Sequence, residues 1–199
     1  RLQGTDPSVC GAGISLCDFT TLSVILTALD HLVDDYAGTP LAAVNMSFGF
    51  PAVKANTYIS CQANADSSIG VGAYELMQDS FGRLRSAGIA PVVAAGNDGA
   101  DPGDEDLISF PACVEGAIAV GATNNAGDTI ATYSNNGPLT TLLAPGGDQN
   151  ADPNGGYVLP LTESTSSYSA VQGTSFAAPV VSGAYAVLRE KHPDATVDQ

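Results

Sequence analysis

Positive charge and histidine are scarce in this 199-residue sequence: six lysines and arginines stand against 21 aspartates and glutamates, and the only imidazoles are His31 and His192. The formal net charge of −15 disfavours nucleic acid and anionic membrane surfaces as partners. No glycine-rich phosphate-binding loop is present either. The acidic excess reads as a solubility device and designates no particular cationic partner. No apolar run approaches the ~20 residues of a membrane-spanning helix. The chain opens at Arg1-Leu2-Gln3 with no apolar signal segment, and it closes on Thr196-Val197-Asp198-Gln199, a T-x-x-Q capping box that starts a helix without completing it. Both ends are therefore expected to be cuts in a longer protein.

The four cysteines, Cys10, Cys17, Cys61 and Cys113, are too scattered for a zinc ribbon or a C-x-x-C redox pair. Disulfides are the expectation. Spacing leaves all three pairings open, and four buried thiols are the alternative.

At this length the chain reads as a single domain, residues 1–199, with a sizeable core and no internal repeat. Residues 1–20 read as a loop. From Thr21 to Tyr36, the positions Leu22, Ile25, Leu26, Leu29, Val33 and Tyr36 form one helical stripe, closed by Gly38 and Pro40. His31 lies opposite that stripe and reads as a solvent-facing side chain. Leu41–Met46 is predicted as a buried strand. Val71–Ala87 follows as a helix through Val71, Tyr74, Met77, Phe81 and Leu84 with Gly88 as C-cap, then Ile89–Ala95 as a fully apolar strand. Strand, helix and strand make a βαβ crossover, hence a three-layer α/β/α fold with a mostly parallel central sheet. Further strands are expected at Ala117–Gly121, Thr129–Ser134 and Leu139–Ala144, and a surface loop at 148–164. Ligands of such sheets bind at the carboxyl ends of the strands, where Gly49 and Asn97 fall.

The chain is organised around Val171–Leu188, VQGTSFAAPVVSGAYAVL. Ala177, Val180, Val181, Ala184, Val187 and Leu188 share a helical stripe predicted to face the core, with Ser182, Gly183 and Ala186 closely packed. Pro179 cannot donate the bond that would reach back to the Ser175 carbonyl, so the first turn is loosened where that serine sits. The free N–H groups of a helix start stabilise the charge that acyl transfer develops on the former carbonyl oxygen. Gly173-Thr174-Ser175 alone would also fit a turn with a helix cap. The longer string G-T-S-F-A-A-P over 173–179, however, resembles the nucleophile motif of the subtilisin-like serine peptidases, the subtilases. Ala177 excludes the esterase elbow, G-x-S-x-G.

This resemblance implies that Ser175 is the nucleophile and Thr174 a substrate-binding neighbour. A-A-G-N-D-G over 94–99 is similar to the family segment whose asparagine donates to the oxyanion, which makes Asn97 that donor and Ala94, Ala95 and Gly96 a wall of the primary pocket. A bare Asn-Asp-Gly turn is the plainer account. Ser47-Phe48-Gly49 matches the S-L-G segment that pairs with substrate backbone as an added strand, with Phe48 in the usual place of leucine. Relatives with similar loops imply the pairs Cys10–Cys17 and Cys61–Cys113, and an extracellular or periplasmic location. No cofactor is implied. Asp101, Asp104, Glu105 and Asp106 offer oxygen ligands for calcium, but not at EF-hand spacing, and Thr141 stands where some relatives carry a calcium-binding carboxylate.

The family's base lies in an H-G-T-H-like helix and its partner in a D-T-G or D-S-G strand, and neither motif occurs here. His192 lies beyond the nucleophile helix, about 25 Å from Ser175 at 1.5 Å per residue. The resemblance thus covers the whole chain but only the latter part of a family catalytic domain. The N-terminal part of the fold is expected to be missing and the isolated chain to turn over poorly or not at all. Another polypeptide, or self-association, is expected to cover apolar sheet edge and helix faces. Two functions follow: a serine endopeptidase acting on peptide or protein substrates, or a non-catalytic subtilase-like module that binds peptides.

Overall fold

The computed structural model describes residues 2–4, 17–19, 21–36, 39–50, 61–62, 65, 69–99, 107–151, 155–160 and 168–199. The chain divides into two compact units, Arg1–Ala37 and Gly38–Gln199. In the first, β1 (Leu2–Gly4) pairs antiparallel with β2 (Cys17–Phe19), so the expected opening loop carries a short ladder. Helix α1 (Leu22–Asp35) follows and buries Ile25 and Leu29 of the predicted stripe. His31 is exposed, as expected of its place opposite that stripe, and pairs with Asp35 one turn on.

The second unit is built on four parallel strands in chain order: β3 (Ala43–Met46), β4 (Ala90–Ala94), β5 (Ile118–Thr123) and β6 (Leu142–Pro145). Helix α2 (Ala73–Ser86) connects β3 to β4. Every residue of β4 and β5 is buried, as strands covered on both faces must be. Ala90, Val92, Ala94, Ile118, Val120 and Ala122 face α3 (Thr174–Lys191) and pack with its Ala177, Ala178 and Val181. The alternate residues of these strands point to the opposite face. There α2 lies against β4 and buries Met77, Phe81 and Leu84 completely. The three-layer α/β/α reading stands.

Four further expectations need correction. Val71 is 93% exposed, because α2 begins only at Ala73 and Val71 lies in the turn before it. Thr129–Ser134 forms no strand beyond an isolated bridge from Ile130 to Thr123. Single backbone bonds hold it, Ala131 N–H to Ala122 O at 2.9 Å and Asn124 N–H to Thr129 O at 3.0 Å, together with Ser134 Oγ accepting the Ala122 N–H at 2.8 Å. Within the expected loop at 148–164, β7 (Tyr157–Pro160) pairs antiparallel with β8 (Tyr168–Val171).

The stripe of α3 is buried only in part. Val180, Val187 and Leu188 are 46%, 68% and 57% exposed, and Gly183, Ala184 and Ala186 are exposed with them. Eighteen helical residues span about 27 Å, whereas strands of four to six residues reach only about 13–20 Å. The last turns of α3, with Val187 and Leu188, therefore overhang the sheet, whereas Val180, between the buried Ala178 and Val181, lies over it and is exposed because it is turned away from that buried face.

Candidate active site

Three chain segments converge at the carboxyl edge of the sheet: the exit of β3 at Ser47, the exit of β4 through Asn97, and Gly173 at the start of α3. Gly173 is the N-cap of α3 with φ +151°, a conformation open to glycine and strained for other residues. Its N–H lies 3.0 Å from Gly146 O and 2.9 Å from the hydroxyl of Tyr133. That hydroxyl is in turn 2.7 Å from Gly147 O and 3.0 Å from Gly146 O. A buried side chain thus ties the turn before Ser175 to the loop leaving β6.

Thr174, also buried, fixes the amide of Asn97. Its N–H donates to Asn97 Oδ1 at 2.9 Å and its hydroxyl lies 3.0 Å from the same oxygen. The Thr174 hydroxyl also accepts the Gly96 N–H at 3.2 Å. Because both bonds fall on Oδ1, Nδ2 is turned outward as a donor. A Cβ placed on Gly173 would lie 3.6 Å from Asn97 Nδ2 and 3.7 Å from the Ser175 backbone N. The space that Gly173 leaves empty is bordered by these two donors, which have no acceptor among the described residues, and by the edge of the Phe176 ring, 3.7 Å from the same point. Such an arrangement suits an anionic oxygen.

Ser175 itself is half-buried. Its Oγ donates to Ser47 O at 3.4 Å, and its carbonyl accepts from Ser47 Oγ at 2.8 Å. Phe48 and Gly49 are exposed, and no described residue pairs with their backbone. The opposite segment is fully engaged. Ala95 N–H donates to Val120 O, and Ala95 O accepts from Ser109 at 2.9 Å. Gly96 O accepts from Asn135 N–H at 3.1 Å. Ala94 turns into the core under α3 and Ala95 is fully buried, which leaves half-buried Gly96 as the accessible part of this segment.

Three supporting residues gave no sequence signal beyond turn chemistry. Asn135, fully buried, accepts the Asp98 N–H at 2.8 Å and braces the Asn97 loop from behind. Gly96, at φ +118°, makes room for it, since a Cβ there would come within 2.4 Å of Asn135 Nδ2 and 2.3 Å of Ser109 Oγ. Asp148, buried beside the Tyr133 loop, accepts from Thr132 N–H at 2.8 Å, Thr132 Oγ1 at 3.0 Å, and the N–H groups of Asn150 and Ala151 at 3.1 Å each. Burial raises its carboxyl pKa, but these four bonds outweigh that and hold it below 3.8. Tyr133 is the third.

His192 caps the far end of α3. Cys61 and Cys113 are disulfide-bonded with Cα atoms 5.7 Å apart. Cys10 and the side chain of Cys17 lie outside the described residues, as does the acidic run at 101–106. Among the described residues no three histidines, cysteines or carboxylates cluster to hold a metal, and no helix is long and apolar enough to cross a membrane.

A model of the subtilase family matches residues 25–199. The chain is 30% identical over 188 residues to the subtilisin-like protease PopC of Myxococcus xanthus, which covers 89% of this chain and 35% of that protein. It is 37% identical over 108 residues to a subtilisin of Bacillus pumilus, covering 54% of this chain and 35% of the relative. Among solved structures, a protease of Pseudoalteromonas arctica superposes with a TM-score of 0.61 at 28% identity, covering 87% of this chain and 49% of that one. The chain therefore spans about a third of the length of these curated relatives and about half of the solved one.

Proposed function

The chain belongs to the subtilase family, and on that premise we propose that it supplies the nucleophile and oxyanion side of a serine endopeptidase working outside the cell or in the periplasm. Ser175 Oγ attacks the scissile carbonyl carbon. The carbonyl π pair moves onto the oxygen, which is received in the space beside Gly173 by Asn97 Nδ2 and the Ser175 N–H. The Oγ proton passes to a base. Collapse of the adduct then expels the amine, which takes that proton and leaves an acyl-serine. One observation carries this reading: Thr174 pins Asn97 Oδ1, so that the free end of the amide and the Ser175 N–H border one empty volume. A plain turn with a helix cap has no need of that convergence.

The substrate is a peptide or protein whose extended backbone pairs with the unengaged edge at Phe48 and Gly49. No cofactor takes part. The base and its partner come from a polypeptide segment with the family's histidine and aspartate motifs, which this sequence lacks. The exposed face of α3, with Val180, Val187 and Leu188, is the surface we assign to covering by a polypeptide. The Cys61–Cys113 disulfide supports an oxidising compartment.

Intact mass after exposure to a fluorophosphonate probe tests the proposal. The expected result is a single adduct on protein provided with its base, abolished by Ser175→Ala. A folded sample that binds peptide yet never labels, whatever accompanies it, would turn the reading to the peptide-binding module.

A further inference from the structure

Pro179 lies inside α3, and an internal proline deprives the carbonyl four residues earlier of its helical donor. That carbonyl is Ser175 O, which nonetheless has a partner: Ser47 Oγ at 2.8 Å, from 128 residues away in sequence. Asn45, two residues before Ser47 at the edge of the sheet, lies with Nδ2 2.9 Å from the same hydroxyl. A carbonyl only accepts, so the Ser47 proton must point to Ser175 O. The Ser47 oxygen is then left to accept, which requires the donor end of the Asn45 amide to face it. The direction of every bond is determined: Asn45 Nδ2–H to Ser47 Oγ, Ser47 Oγ–H to Ser175 O. The main chain of Ser47 closes the clasp by accepting the Ser175 hydroxyl at 3.4 Å.

We propose that Asn45 and Ser47 form a hydrogen-bond relay that replaces the helical bond lost at Pro179 and thereby sets the position of Ser175, which makes both of them positioning residues. The significance of that position rests on Ser175 being the nucleophile; the relay itself does not. A helix bond restored at residue 179 would draw the Ser175 carbonyl into the helix axis, and with it the backbone that carries Oγ. The relay holds that carbonyl toward β3 instead. Ser175 Oγ meanwhile rests on Ser47 O through a contact long enough to be exchanged readily for a base.

The test is a double-mutant cycle in the full chain, with Ser47→Ala, Pro179→Ala, their combination, and the hydroxyl-retaining Ser47→Thr. Two readouts are taken: the NMR carbonyl-carbon and Cβ shifts of Ser175, and the thermal unfolding midpoint. Ser47→Ala should move both Ser175 shifts and lower the midpoint by roughly 2–5 °C. Ser47→Thr should retain the wild-type values. In the Ser47→Ala background, Pro179→Ala supplies an N–H to the orphaned carbonyl and should recover most of the midpoint loss. Asn45→Asp, which cannot donate, should shift Ser175 in the direction that Ser47→Ala does. Additive effects of Ser47→Ala and Pro179→Ala, or an unmoved Ser175 carbonyl in Ser47→Ala, would overturn the relay. A Ser175 that never takes a fluorophosphonate would instead sink the peptidase reading and leave the coupling in the cycle unchanged.

Discussion

Replacing Tyr133 by phenylalanine deletes one oxygen and leaves the ring packed, so no cavity term enters the cost. The hydroxyl lies 2.9 Å from Gly173 N, 2.7 Å from Gly147 O and 3.0 Å from Gly146 O. It has one proton, which goes to the nearer carbonyl, that of Gly147, while its lone pair receives the Gly173 N–H. In Tyr133→Phe the Gly173 N–H keeps Gly146 O at 3.0 Å, so that donor is not orphaned. The buried Gly147 carbonyl does lose its donor. One net hydrogen bond is worth about 0.5–1.5 kcal/mol and an unsatisfied buried group costs about 1–3 kcal/mol, which places the combined loss near 2 kcal/mol. For a chain of this length that corresponds to a fall in midpoint of roughly 4–8 °C. Urea and thermal melts of the two proteins, compared at matched pH, measure it. A midpoint unchanged within error, with the same urea slope, would refute the inference that this hydroxyl clamps the turn before Ser175.

In protein provided with its base, Asn97→Ala should lower kcat by about 10²–10³-fold with KM little changed, about 3–4 kcal/mol, the magnitude seen when one oxyanion donor is removed from a subtilisin; an equal kcat would remove Asn97 from the mechanism. Asp148 has a folded pKa below 3.8, so its contribution to stability is present above the unfolded value and is lost as pH falls through the folded one. The stability margin of wild type over Asp148→Asn should accordingly be full at neutral pH and shrink below about pH 4, and a margin constant across an acid titration of the urea midpoint would contradict this. Reducing the Cys61–Cys113 bridge, which closes a separation of 52 residues, should cost about 4 kcal/mol on the chain-entropy account, read as the difference between melts with and without reductant.

Much of this architecture was legible because burial on two faces writes itself into composition. Ile89–Ala95 is apolar without interruption, and β4 within it is buried at every position. Met77, Phe81 and Leu84 recur at helical spacing and are the fully buried residues of α2. The stripe on α3 was equally clear in sequence and yet misleading. Periodicity reports which residues need cover, and Val187 and Leu188 have none from the described sheet. The bracing of the site was illegible for a different reason. Tyr133, Asn135 and Asp148 act through hydrogen bonds that reach backbone 13–40 residues away, and such bonds impose no period and no composition. Even at Ser47, where the sequence pointed to the segment, it gave no sign that the hydroxyl answers a proline in another element.

The same constellation limits where any pH dependence of this site can originate. On the reading proposed, its donors are a backbone N–H and a carboxamide, its nucleophile is an alcohol, and its positioning groups are threonine and serine hydroxyls, a tyrosine, further carboxamides and the Asp148 carboxylate. None of these changes charge between pH 5 and 8 at ordinary pKa values. On that reading the oxyanion site should be equally competent across that range, since Thr174 holds Asn97 in place without a charged partner. Proton transfer from Ser175 would be the one step that needs a titrating group, and His192 lies at the opposite end of an 18-residue helix, about 25 Å from Ser175. A titration of Ser175 labelling near neutrality would therefore report a group outside this constellation. Its apparent pKa would be a property of the base presented to Ser175, and substitutions at Asn97 or Tyr133 should change the height of the profile while leaving its midpoint in place.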